Sequence, residues 1–150
     1  MEMSLAWIAA WLSATFSLPA IYDHPEIRFA SHHEIMAVRL LQQPHESTAI
    51  HAPPVAPAPS SIEALYDDRS RTIYLNQYWT GLTPAETSIL VHEMVHHFQN
   101  MAGLQYECAE AREELAYKAQ DMYLALHGLS LSKEFKLDPV TRLVRTKCMH

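Results

Sequence analysis

Apolar residues recur at helical spacing near the start of the chain, at Leu5, Ile8, Trp11/Leu12 and Thr15/Phe16. They predict a half-buried helix over about residues 4–17, ending at Leu18-Pro19. Ile21 to Ala30 reads as extended, with a strand at Ile27–Ala30. Ser31 and Glu34 form a capping-box pair that opens a second helix, His32 to Gln43, which Pro44 stops. The runs Ile62–Tyr66 and Thr72–Leu75 flank the polar turn Asp67-Asp68-Arg69-Ser70-Arg71, which predicts a β-hairpin. Thr83, Pro84 and Glu86 suit the N-cap, N1 and N3 positions of a helix that runs to about Met101 and stops at Gly103. A further long helix spans about Glu107–Leu126, with Gly128 as its stop. The tail predicts one more helical turn before Pro139 and an extended end. The layout is α+β: one domain over residues 1–150, mostly helical, with a small antiparallel sheet. Residues 51–60, HAPPVAPAPS, form a proline-rich surface loop.

Composition narrows the function. At 150 residues and 49% hydrophobic, the chain has enough apolar material for one core. A formal charge of −6 argues against a nucleic-acid partner. Only 3 glycines, none in a phosphate-loop pattern, argue against nucleotide binding. Met3 to Tyr22 is uncharged, but Ser4, Ser13, Thr15, Ser17 and Pro19 interrupt it, so membrane association is not expected. It also lacks the basic start of a signal peptide, having Glu2 there; an export signal removed ahead of Met1 would fit. Cys108 and Cys148 are either two buried thiols or a disulfide. A bridge would imply a periplasmic or secreted location; free thiols would suit the cytoplasm.

The 10 histidines are the unusual feature. Two of them lie in His92-Glu93-Met94-Val95-His96, an HExxH pattern within the helix that starts at Thr83. Four residues apart on a helix, two imidazoles project from one face and can share a Zn2+ ion. Glu93 then stands beside the metal rather than on it, where a carboxylate can take a proton from activated water.

A catalytic zinc needs a third protein ligand. No histidine follows at a suitable spacing, so the candidates are Glu107, Glu110, Glu113 and Glu114. Taking Arg112, Leu115/Ala116, Ala119, Met122/Tyr123 and Leu126 as the buried stripe, Glu113 falls about 110° from its centre, Glu114 about 150° and Glu110 about 170°. Glu113 is therefore the expected ligand, with Glu114 second. Tyr117 and Gln120 share its face and are candidates to support the metal ligands.

His92-Glu93-Met94-Val95-His96, followed 17 residues after His96 by Glu113-Glu114-Leu115-Ala116-Tyr117, resembles the gluzincin-type zinc metallopeptidases. Glu113, Ala116, Tyr117 and Gln120 also resemble small bacterial zincin-like proteins, often exported. The resemblance covers about residues 62–126. It implies His92, His96 and Glu113 as zinc ligands, Glu93 as general base, and a peptide or protein substrate. It also implies an edge strand before the motif helix, here Thr72–Leu75, that holds the substrate in extended form. Tyr106, Tyr117 and His97 are the candidates for a donor to the developing oxyanion.

The other residues have blander readings. His97 faces about 100° from His96 and is expected at the surface or behind the ligands. His24 is a possible cleft residue; His32, His33, His45, His51 and His127 are expected at the surface. Trp7 and Trp11 suit core packing, Asp67-Asp68 suits a turn, and Arg112 suits pairing with a carboxylate or snorkelling. The leading function is a zinc-dependent hydrolase, most simply a peptidase. The alternatives are a catalytically silent zincin-like module with structural zinc, and a plain helical interaction domain.

Overall fold

A computed structural model describes residues 2–19, 23–42 and 64–148. Its elements are α1 (Glu2–Phe16), β1 (Glu26–Ala30), α2 (His32–Gln42), β2 (Ala64–Asp67), β3 (Thr72–Asn76), α3 (Pro84–Met101), α4 (Ala109–Ala125), α5 (Leu131–Glu134) and α6 (Pro139–Thr146). The fold is mostly helical α+β, as the patterning implies. The proline-rich stretch 51–60 and Ile62 lie outside the described residues.

The three strands of the described residues lie in the order β1-β3-β2. The predicted hairpin is present, with Tyr66 opposite Ile73 in an antiparallel pair. The sheet as a whole is mixed, not antiparallel, because β1 joins the far side of β3 in parallel, Ile27 opposite Ile73. The cause is connectivity: α2 and the segment after it separate β1 from the hairpin, which is the length a parallel crossover needs. This places β3 in the centre. Thr72–Leu75 is therefore not the edge strand expected from the sequence; among the described residues β2 and β1 are the edges.

One apolar core joins Leu5, Ile8 and Leu12 of α1, Ile73 and Leu75 of β3, five residues of α3 (Leu90, Val91, Met94, Val95, Phe98), and Ala116, Ala119 and Tyr123 of α4. Trp11 packs against this core, whereas Trp7 stacks on Trp11 with ring centroids 6.0 Å apart and stays 50% exposed. Among the described residues no helix is long and apolar enough to cross a membrane.

The start of α3 is built by its cap. Thr83 accepts a hydrogen bond from the Glu86 amide at 3.2 Å. Glu86 does not reach back to Thr83 as a full capping box would. Its carboxylate instead accepts from the Thr80 amide and hydroxyl and from the Gly81 amide, tying down the preceding turn. Gly81 has φ +72°, and a Cβ there would meet the Trp79 ring at 2.7 Å, so the turn requires glycine.

The tail departs from expectation. Residues 139–146 are helical rather than extended, because Asp138 caps the Thr141 amide at 2.7 Å and Pro139 takes the first helical turn. Leu124, Leu131 and Leu137 form a small second core that fastens the tail to α4. Cys108 and Cys148 are disulfide-bonded, with Cα atoms 5.8 Å apart. The bridge links the N-cap residue of α4 to the end of α6.

Candidate metal centre

His92 and His96 project from one face of α3 with ring centroids 5.1 Å apart. Glu113 of α4 meets both. Its Oε2 lies 2.8 Å from His92 Nε2 and 3.2 Å from His96 Nε2, and its Oε1 lies 3.1 Å from His96 Nε2. One ligand atom from each residue falls within a 4.8 Å cluster. Of the other sequence candidates, Glu110 and Glu114 are exposed on α4.

Glu113 meets the histidines as expected, but the buried stripe of α4 differs from the one the sequence pattern implies. Met122 and Leu126 are 39% and 61% exposed, and the buried face of α4 runs through Ala116, Ala119, Gln120, Tyr123 and Leu124. Glu113 lies three residues before Ala116 and seven before Gln120, so it belongs to that face rather than far from its centre. The buried stripe contains a glutamine and a glutamate that face His92 and His96, which a purely apolar criterion misses.

Each histidine is oriented from behind by a buried carboxamide. His92 Nδ1 lies 2.9 Å from Gln120 Oε1, and His96 Nδ1 lies 2.8 Å from Gln99 Oε1. The amide orientations are forced. Gln99 Nε2 donates to the Arg112 carbonyl at 3.0 Å. Gln120 Nε2 donates to Ser88 Oγ at 3.2 Å, whose own hydroxyl donates to the Ala85 carbonyl at 2.6 Å. Both oxygens must therefore face the histidines and accept from Nδ1–H. Nε2 of each ring is then the atom turned to Glu113: while protonated it donates to the carboxylate, and once that proton is lost its lone pair is available to a metal. The donor set of two Nε2 atoms and one carboxylate thus fits a zinc ion with an open position. Gln120 was legible from its place on the Glu113 face; Gln99 was not singled out, although it lies one turn after His96.

Electrostatics bind the cluster. Burial pushes the Glu113 carboxyl up, but hydrogen bonds from His92 and His96 and their charge outweigh it and hold the group well below the usual carboxylate range. Burial pushes His96 down, and the Glu113 hydrogen bond with the Glu113 and Glu93 charges raises it above the usual imidazole value.

Glu93 is 8% exposed, yet its side chain accepts no hydrogen bond from any described residue. It lines a cavity of about 390 Å³ together with His92, His96 and Glu113. Buried carboxylates are normally paired, so a carboxylate without such a hydrogen bond is unusual.

Tyr117 is the oxyanion-donor candidate that reaches this cavity; its ring stands 4.8 Å from the His92 ring. Tyr106 lines a neighbouring pocket instead. His97 is fully buried rather than at the surface, with Nδ1 2.8 Å from the Tyr66 hydroxyl and Nε2 2.7 Å from the Asp23 carbonyl. His24, His33 and His127 are exposed. Arg112 pairs with Asp68 through two bonds of 2.7 and 2.8 Å and donates to the His96 carbonyl at 3.2 Å. Asp68 thus has a partner on α4 that its place in the turn did not disclose.

The family model described as Domain of unknown function (DUF6647) matches residues 1–149. No curated protein and no solved structure matches the chain.

Proposed function

We propose that this chain, which belongs to the DUF6647 family, is a zinc-dependent hydrolase that acts on peptides. The observation that carries the reading is the buried Glu93, which accepts no hydrogen bond from the described residues, in the same cavity as the converging His92, His96 and Glu113. A bound zinc would supply Lewis acidity and make water acidic enough to be a nucleophile near neutral pH. His92, His96 and Glu113 would hold the ion. Glu93 accepts the proton from the attacking water and returns it to the leaving amine. Among the described residues none donates a hydrogen bond to it, which keeps its lone pairs available, and its low exposure strengthens the proton transfer. Tyr117 donates towards the oxygen that becomes negative.

Ala64, Leu65 and Tyr66 of β2 line the cavity, which supports the β2 edge as the strand that aligns an extended peptide. The Cys108–Cys148 bridge supports a periplasmic or secreted location.

Metal analysis of the purified chain is the decisive test. The reading expects zinc near one per chain; less than about 0.2, unrecovered on adding zinc, ends it. Glu93→Gln then separates an enzyme from a silent zinc module: the enzyme keeps its zinc and loses peptide hydrolysis.

A further inference from the structure

We propose that the cavity beside His92, His96 and Glu113 selects peptides bearing a carboxylate, and that Arg39 is the residue that binds it. This rests on the hydrolase reading and adds the substrate class. Arg39 and Gln42 lie three residues apart on α2, on one face of the helix, and both line the cavity. Gln42 Nε2 donates to the Tyr66 carbonyl at 3.1 Å. The β2 edge, which an extended peptide would follow, is therefore already capped at Tyr66. Strand pairing is interrupted there, and a different kind of contact must hold the rest of the ligand.

Arg39 supplies one. It is exposed, and among the described residues its side chain makes no hydrogen bond or ion pair. The other arginine of the cavity, Arg112, is already matched to Asp68 by two bonds. Arg39 is thus the one cation on this wall, among the described residues, whose planar fork stays open to a ligand. A guanidinium pairs with a carboxylate through two parallel hydrogen bonds, which gives direction as well as affinity. The carboxylate is either a peptide C-terminus or an Asp or Glu side chain.

The test titrates the zinc-loaded protein with four hydroxamate-bearing peptides of equal length. They end in glycine free acid, glycine amide, glutamate amide and glutamine amide. Calorimetry should give at least one carboxylate ligand an advantage of about tenfold over its neutral match. Advantage for the free acid assigns a terminal carboxylate; advantage for the glutamate amide assigns a side chain. In Arg39→Gln the advantage should vanish while zinc affinity and binding of the neutral ligands stay as in the wild type. Equal binding of charged and neutral ligands, or an advantage that survives Arg39→Gln, overturns the proposal and leaves the zinc reading intact. Failure to take up zinc overturns both, and the zinc titration that precedes the ligands detects it.

Discussion

The carboxamide oxygen of Gln120 lies 2.9 Å from Nδ1 of His92. Gln99 does the same for His96 at 2.8 Å. Each glutamine is 5% exposed or less, so removing its oxygen leaves a buried Nδ1–H with no acceptor. Gln120→Leu and Gln99→Leu should each lower zinc affinity by about 10–100-fold. Competition with a chromophoric chelator measures this. Unchanged affinity in both variants would show that the glutamines do not orient the ligands.

The three glutamates of α4 separate cleanly. Glu113 meets both imidazoles, whereas Glu110 and Glu114 face solvent. Glu113→Ala should abolish stoichiometric zinc binding at micromolar protein, while Glu110→Ala and Glu114→Ala should bind as the wild type does. A loss in Glu114→Ala comparable with that in Glu113→Ala would contradict the geometry.

Glu93 touches no ligand side chain through a hydrogen bond, so Glu93→Gln should hold zinc with nearly wild-type affinity. Any peptide hydrolysis should fall by about 10²–10⁴-fold, the usual weight of a general base. His96→Ala should lose both zinc and hydrolysis. If Glu93→Gln hydrolyses peptides as fast as the wild type, the proton acceptor is another group.

The metal-free protein should show a stability maximum in mildly acidic solution. His96 is raised above its ordinary value of 6.5, so its contribution is complete below that pH and is lost as pH rises through the raised value. Glu113 is lowered from 4.5, so its contribution is present above that pH and is lost as pH falls through the lowered value. The pair therefore contributes fully between about 4.5 and 6.5. Thermal melts of the chelator-treated protein across pH should find this maximum, and Glu113→Gln should flatten it. Zinc affinity should rise with pH through the same imidazole range, because the ion displaces the His96 proton.

The disulfide closes a loop between residues 40 apart. Reduction should destabilise the fold by about 2–5 kcal/mol, in the range found when small domains lose a bridge. Denaturant titration with and without reductant measures it. Thiol titration of the unreduced, denatured protein should find none; two titratable thiols would remove the bridge and the argument for an exported location.

The chain's local chemistry announces its elements. Thr83-Pro84 starts α3, Gly103 follows its end, and the polar run 67–71 turns the hairpin, because caps and turns are short-range matters of backbone geometry. The 139–146 helix shows the same physics unrecognised: Asp138 and Pro139 form a start signal as good as that of α3. The HExxH spacing likewise puts His92 and His96 on one face without knowledge of the fold.

What joins distant segments was decided by tertiary packing. β1 chose the far edge of β3, so the strand expected at the edge became the centre. Arg112 met Asp68 of the turn, Gln42 met Tyr66 of β2, and Gln99 met the Arg112 carbonyl. The buried face of α4 carries Glu113 and Gln120 because α3 presents two imidazoles to satisfy them; against an apolar partner the same residues would have turned outward. Helical periodicity in the sequence therefore identifies the two histidines, whereas the place of Glu113 and of the two glutamines depends on which polar groups the packed helices can satisfy together.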